Sequence, residues 1–217
     1  MSMRRVLDFL RKSPNKKFTT SDEIKEQSKK LFYDYNNVIN YLTSQGYLMR
    51  IFDDIFYIKS RKEVLEEKID FSLLELVAQA LELKNINRWY FGLYTALKLN
   101  GVDTQSDHSN EFFIMSDRIF RRKPFRIAGY DFKFIKLKYV LLEFGVKENV
   151  VRFSDLEKTA LDFIYLWKYN GIHPQKIIVE IGTLLKKTNK DKIFEYSRHY
   201  PEINQQILKD AYERMQN

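Results

Sequence analysis

The chain has 217 residues, no cysteine and a formal net charge of +8, with a pI near 9.4. Without cysteine there is no disulfide, no thiolate zinc site and no cysteine nucleophile, which suits a reducing cytoplasm. No apolar run approaches the roughly 18 residues of a membrane span, and residues 1–12 read as an amphipathic stretch rather than a signal peptide. The basic excess favours polyanionic partners, nucleic acid foremost.

In chain order, Met3, Val6, Leu7 and Leu10 fall at i, i+3, i+4 and i+7, the core stripe of a first helix that Ser13-Pro14-Asn15 ends. Lys17 to Thr19 reads as a short extended piece. Thr20, with Glu23 three residues on, makes a capping box for a second helix. A third helix begins near Asp34 and closes at Gly46. "YLMRIF" and "IFYIKS" follow as a hairpin turning at Asp53-Asp54. Three helices and a terminal hairpin within residues 1–60 give the element order of a winged helix-turn-helix.

Residues 61–70 read as a charged, helical connector. The remaining 71–217 predict an α+β domain with a small, largely antiparallel sheet and a helical C-terminal part. There, Leu73, Leu74, Val77 and Leu81 mark one helix, and Trp89, Leu93, Ala96 and Leu97 mark a second, closed by Asn100-Gly101. "EFFIM" is a buried strand. "PFRIAGYDFKFIKLKY" is a hairpin turning at Ala128-Gly129, and its hydrophobic alternation changes phase between Phe134 and Ile135, as at a bulge. "NVVRF" is another strand. Ser154 and Glu157 suggest a second capping box, ahead of an apolar face of Leu156, Ala160, Phe163, Ile164 and Trp167. Pro174 suits the first turn of the next helix, and two short helices divided by Pro201 close the chain.

The third helix carries the strongest functional signal. On a wheel of about 100° per residue, Tyr35, Val38, Ile39 and Leu42 form the core side. Tyr33, Asn37, Asn40 and Ser44 lie opposite, flanked by Asn36 and Tyr41. A helix face that is merely solvated usually displays Glu and Lys; this one holds neither. Asparagine can pair with adenine N6 and N7, worth about 1–3 kcal/mol against a wrong base. The residues expected to read bases are therefore Tyr33, Asn36, Asn37 and Asn40. Lys29, Lys30, Arg50 and Lys59 flank them as expected phosphate contacts, and Arg61 sits with Arg50 and Lys59 on or beside the hairpin. Asp53 and Asp54 would repel DNA, so the flanks of the hairpin rather than its tip are expected to touch the backbone.

Arg118, Arg121, Arg122, Lys123 and Arg126 form the densest basic run, either a second contact to nucleic acid or an acidic partner, or a charged edge that guards against aggregation. Asp155, Glu157 and Asp162 could suggest metal-dependent hydrolysis, but helix capping and dipole complementarity account for the acids of the first turn, and Asp162 falls on a helix face near the aromatic stripe, placed to hydrogen-bond a neighbouring loop. Glu66 and Lys68 form a Glu-x-Lys pair, yet in the connector and not on a strand beside a second acid. His108, His173 and His199 have no ligand spacing. With no phosphate loop and no nucleophile elbow, the chain reads as a non-enzyme without metal or cofactor.

"NVINYLTSQGYLMRIFDDIFYIKS", "WYFGLYTALKLNG", "EFFIMSDRIFRRKPFRIAGYDFKFIKL" and "RFSDLEKTALDFIY" together resemble the AbiEi family, antitoxins of abortive-infection, type IV toxin–antitoxin systems. The resemblance implies a winged helix that binds inverted repeats in double-stranded DNA upstream of its own gene and represses that operon. It further implies a C-terminal antitoxin domain that counteracts a cognate nucleotidyltransferase toxin, without the need for a stable complex. Asn100 stands where the family pattern leads one to expect histidine, and Asp54 where the wing commonly has glycine. The rival readings are a stand-alone winged-helix regulator, a protein-interaction module with no toxin partner, and a metal-dependent nuclease.

Overall fold

The computed structural model describes residues 3–11, 16–102, 108–118 and 123–216. The protein is α+β, and its chain forms two compact units, Met1–Asn85 and Ile86–Asn217. The first runs α1 (Arg4–Leu10), β1 (Phe18–Thr20), α2 (Ser21–Lys30), α3 (Tyr35–Ser44), β2 (Leu48–Phe52), β3 (Ile55–Ile58), α4 (Arg61–Leu65) and α5 (Leu73–Leu83). The stripe on α1 buries as its spacing dictates. Val6, Leu7 and Leu10 meet Ile24 of α2 and Val38, Ile39 and Leu42 of α3, with Leu48, Phe56 and Ile58 closing the cluster from the sheet. The end of α1 at Ser13 to Asn15 lies outside the described residues.

Helix starts in this unit are held by side chains. The Thr20 hydroxyl accepts from the Glu23 amide at 3.3 Å, and the Glu23 carboxylate accepts from the Thr20 amide at 3.1 Å, a complete capping box. Asp34 accepts from the Asn37 amide at 3.0 Å to open α3. The strands lie in the order β1-β3-β2, all antiparallel, so β3 is central and buried along its length. A register shift between Arg50 and Phe52 marks a bulge in β2.

The charged segment after β3 is not a free connector. Only Arg61–Leu65 is helical, and Glu63 is buried there. Its carboxylate accepts from the Tyr57 hydroxyl at 2.7 Å, the Ser60 amide at 2.7 Å and the Asp70 amide at 2.9 Å. Those bonds fasten residues 60–70 to β3, and α5 groups with the first unit rather than the second. Charge content alone suggested a spacer because a buried, fully bonded glutamate looks the same in sequence as a solvated one.

The second unit runs β4 (Trp89–Phe91), α6 (Leu93–Leu99), β5 (Glu111–Ser116), β6 (Phe125–Ile127), β7 (Tyr130–Lys136), a 3-10 turn (Tyr139–Leu142), β8 (Val146–Glu148), β9 (Arg152–Ser154), α7 (Leu156–Tyr169), α8 (Pro174–Leu185), α9 (Lys190–Ser197) and α10 (Glu202–Gln216). Its six strands lie in the order β6-β7-β5-β4-β9-β8. The β5–β7 and β4–β9 pairings are parallel and the other three antiparallel, so the sheet is mixed rather than largely antiparallel. Trp89 does not begin a helix: Trp89–Phe91 is a buried interior strand, a distinction that periodicity cannot make for so short an apolar run. Ala128 and Gly129, at φ +49° and +87°, form the β6–β7 turn, as a type I′ hairpin requires.

No bulge interrupts β7. Its register against β5 is continuous from Glu111 opposite Asp131 to Ser116 opposite Lys136. The change of phase arises because both faces of the strand are apolar there. Phe132 and Phe134 pack on Phe112 and Phe125, while Ile135 joins the core beneath the helices.

Helices α7 to α10 cover that core, and an ionic group is sealed within it. Lys158 and Asp162, one turn apart on α7, are both fully buried, and Lys158 Nζ donates to Asp162 Oδ1 at 2.6 Å. The Tyr200 hydroxyl lies 2.7 Å from each of those two atoms, and Tyr90 donates to Asp162 Oδ2 at 2.6 Å. The rings of Tyr90, Phe144 and Tyr200 surround the ammonium at 5.1, 5.0 and 5.2 Å. The expected Ser154–Glu157 capping box is absent. Asp155 caps α7 instead, accepting from the Lys158 amide at 2.8 Å, and Ser154 pairs with Thr159 at 2.7 Å. Glu157 accepts from the Asn189 amide at 2.8 Å, which ties α7 to the start of α9.

Burial pushes the Lys158 ammonium below its usual pKa despite the opposing charge of Asp162. Burial, and then the Asp162 charge, push the phenols of Tyr90 and Tyr200 well up. Removing one charge alone, in Lys158→Met or Asp162→Asn, is expected to cost about 3–5 kcal/mol, and the double variant less than the sum. Urea unfolding in a double-mutant cycle measures this. The raised phenols keep their protons in the folded state while the unfolded chain releases them from about pH 10 upward, so stability falls as pH rises beyond that point. Lys158 acts in the opposite sense, but only between its lowered pKa and 10.5. Tyr90→Phe and Tyr200→Phe should each flatten the alkaline slope of the unfolding free energy.

Candidate nucleic-acid interface

Helices α2 and α3 are joined by residues 31–34, so Lys29 and Lys30 at the end of α2 stand directly before α3. Both lysines are exposed; Lys30 reaches Glu26 at 2.6 Å one turn back, a solvent-exposed pair of the kind that adds little stability and exchanges partners readily. Asn36, Asn37, Asn40 and Ser44 are exposed along α3, as the wheel predicts. Tyr33 differs from the expectation. It is half-buried and packs against the core cluster of the first unit, as do Tyr35 and Tyr41. An aromatic ring at the edge of a short helix gains more from covering the core than from facing water. The outward row is thus composed of amides and one hydroxyl.

The hairpin brings Arg50 to the surface with its guanidinium 5.1 Å from the Phe56 ring. The tip is held rather than free. Lys84 of α5 pairs with Asp54 at 2.7 Å, and the Asp54 carbonyl accepts from the Ser21 amide at 2.9 Å. Lys84 therefore offsets one of the two carboxylates expected to repel DNA.

Lys59 is half-buried at the base of the hairpin, where its carbonyl accepts from Arg11. Arg11, Lys16, Lys17 and Arg61 line a cavity of about 340 Å³ with it, together with Tyr57, Glu63, Asp70 and Phe71. Burial, and then the neighbouring Arg61, lower the Arg11 pKa. Sequence reasoning singles out Lys59 and Arg61 beside the hairpin but not Arg11, Lys16 and Lys17, which arrive from the end of α1 and the segment before β1. The cluster lies at the C-terminal end of α3, as the Lys59 amide donates to the Tyr47 carbonyl at 3.0 Å. By helix rise it is roughly 15 Å from the Asp34 end of α3. Lys59 is therefore remote from the lysines before α3 with which it was grouped.

In the second unit, Arg118, Lys123 and Arg126 are exposed, and Arg126 stands opposite Asp131 across the β6–β7 ladder. Arg121 and Arg122 lie outside the described residues. The acids at and after the start of α7 are engaged: Asp162 with Lys158, Asp155 and Glu157 with Lys192 at 2.8 and 3.3 Å. Among the described residues no three His, Asp or Glu side chains gather to hold a metal ion, and no helix is long and apolar enough to cross a membrane. A second cavity of about 800 Å³ has walls from Tyr94, Phe113, Phe163 and Trp167, with the exposed Lys136 and Lys138 beside them.

No family model matches the chain, and no curated protein matches it. Among solved structures it is similar to the RV2827C protein from Mycobacterium tuberculosis, with a TM-score of 0.56 and 11% identity, over 96% of this chain and 75% of that one. At that identity the likeness is one of fold alone.

The Glu63 carboxyl is pushed up by burial, but hydrogen bonds from Asp70, Tyr57 and Ser60 outweigh this and hold it below the ordinary glutamate value of 4.5. The stability it contributes is complete above that pH and is lost as pH falls through the lowered folded value. Glu63→Gln should cost about 1–3 kcal/mol at neutral pH and less at pH 4. Urea unfolding at the two pH values checks both parts.

Proposed function

We propose that the protein is a sequence-specific DNA-binding repressor, with residues 1–60 acting as a winged helix-turn-helix, and that it is the antitoxin of a type IV toxin–antitoxin system. The observation that carries this reading is the exposed row of Asn36, Asn37, Asn40 and Ser44 on α3. It is neutral, amide-rich and preceded by Lys29 and Lys30, where a groove-reading helix needs short hydrogen-bonding groups beside phosphate contacts. Three helices followed by the β2–β3 hairpin supply the order in which such a domain is built. Arg50 is the phosphate contact on the hairpin; Lys59, farther off, is a weaker candidate. The regulatory and antitoxin roles rest on the AbiEi resemblance of residues 37–60, 89–101, 111–137 and 152–165. In this reading the protein is not itself an enzyme, and its target is a nucleotidyltransferase encoded alongside.

Fluorescence anisotropy with the duplex upstream of the protein's own gene, against a shuffled duplex, tests the first half. Preference for the native fragment should reach about a hundredfold, and log K should fall with log salt at a slope of roughly −5 for about six neutralised phosphates. Asn37→Ala and Asn40→Ala should each lower the preference by about tenfold while leaving that slope unchanged. Equal binding to both duplexes would defeat the proposal. For the second half, a Lys29→Ala, Asn37→Ala, Asn40→Ala variant co-expressed with the neighbouring toxin should restore growth although it no longer represses. Absence of rescue by the unmodified protein would remove the antitoxin role.

A further inference from the structure

Helices α2, α3, α6 and α7 end in the same backbone motif, in which one amide bonds a carbonyl five residues back and the preceding amide bonds one three residues back. At α3 these are Tyr47 to Leu42 at 2.9 Å and Gly46 to Thr43 at 3.0 Å; at α6, Val102 to Leu97 at 2.9 Å and Gly101 to Lys98 at 3.0 Å. At α7 they are Ile172 to Trp167 at 2.9 Å and Gly171 to Lys168 at 3.1 Å, and at α2, Tyr33 to Ser28 at 2.9 Å and Phe32 to Lys29 at 3.2 Å. The motif needs a left-handed residue just past the helix. Gly46, Gly101 and Gly171 supply it at φ +71°, +72° and +81°, but α2 uses Phe32 at +60°. A side chain there meets the steric penalty that glycine avoids.

The ring receives nothing from the fold in return. Phe32 is 98% exposed and stacks on no other ring among the described residues. A strained, fully hydrated phenylalanine stands where the same chain elsewhere places glycine. Its position is also specific: it follows Lys29 and Lys30 and precedes the amide row at 36, 37 and 40, while Asp34 between them is occupied in capping α3.

We propose that Phe32 is the apolar anchor of the DNA interface, its ring lying against deoxyribose and thymine-methyl surface beside the bases that Asn36 reads. This rests on the DNA-binding reading above. A duplex fits the surroundings because it offers phosphates to the lysines, base edges to the amides and apolar sugar and methyl surface to the ring within one groove.

The test compares full-length protein with Phe32→Gly and Phe32→Asn in three measurements. Affinity for the upstream fragment should fall by about tenfold or more, the loss expected when a buried aromatic contact is removed. The salt slope should stay unchanged, whereas Lys29→Ala should shallow it by about 0.9. The urea midpoint should hold or rise, because glycine relieves the backbone. Unchanged affinity in both variants would overturn the anchor, and so would a lowered urea midpoint, which would make the ring a structural element. Loss of a dimer in sedimentation, in parallel with loss of affinity, would reassign Phe32 to contact between two copies. If the unmodified protein shows no preference for its own upstream fragment, the DNA-binding reading fails and the anchor with it. If it does and the variants match it, the anchor alone fails.

Discussion

The second unit is organised around a charge pair that water never reaches. Lys158 and Asp162 are both fully buried, and the cost of desolvating them is offset only because every polar atom of the pair is engaged. Those partners come from separate parts of the chain: Tyr90 from β4, Tyr200 from between α9 and α10, and Phe144 and Gly145 from the segment before β8. A Cβ on Gly145 would stand 2.7 Å from Lys158 Cβ, so even the backbone there is fitted to the lysine stem. The pair therefore specifies how strand, helices and loop come together. An apolar pair of equal volume could match its stability, but it would lack the directional bonds that tie Tyr90 and Tyr200 to α7.

The first unit relies on a different economy. Its buried cluster is small, and much of its order comes from polar side chains that close helix ends and hold the hairpin. Thr20 with Glu23, Asp34, and Ser60 with Glu63 each answer backbone amides that would otherwise be unsatisfied. Glu63 does this while also holding Tyr57 of β3 and the Asp70 amide. Reading that segment as a spacer overlooked this, because nothing local distinguishes a glutamate with three donors from one in water.

Legibility in the sequence followed the range of the interaction. Short-range rules placed the helix starts at Thr20 and Asp34, the turn at Ala128-Gly129 and the polar row on α3, since each depends on residues within one turn or one hairpin. Trp89–Phe91 was misread because a three-residue interior strand has no period of its own. The supposed bulge at Phe134 and Ile135 came from assuming one solvated face for a strand covered on both. Asp162 was legible as a carboxylate near aromatic residues, but its partners Tyr90 and Tyr200 lie 72 and 38 residues away. Arg11, Lys16 and Lys17, which join Lys59 and Arg61 in one cavity, were invisible for the same reason.

The way carboxylates are used bears on where the excess positive charge is felt. In the first unit, Glu23 is committed to Lys16 and its capping box, Asp54 to Lys84, Glu63 to three donors and Asp34 to the start of α3. A carboxylate whose oxygens are filled by nearby donors projects a weaker field than a free one. Lys29, Lys59 and Arg61 have no carboxylate partner among the described residues, so their fields are not cancelled in this way. The +8 of the chain is thus expressed partly as local positive potential at the end of α2 and the base of the hairpin. Between them, the outward face of α3 carries no charge from residue 36 to residue 44. A polyanion drawn to these cations would meet a neutral hydrogen-bonding surface, the condition under which attraction brings the partner in while short-range contacts decide whether it stays.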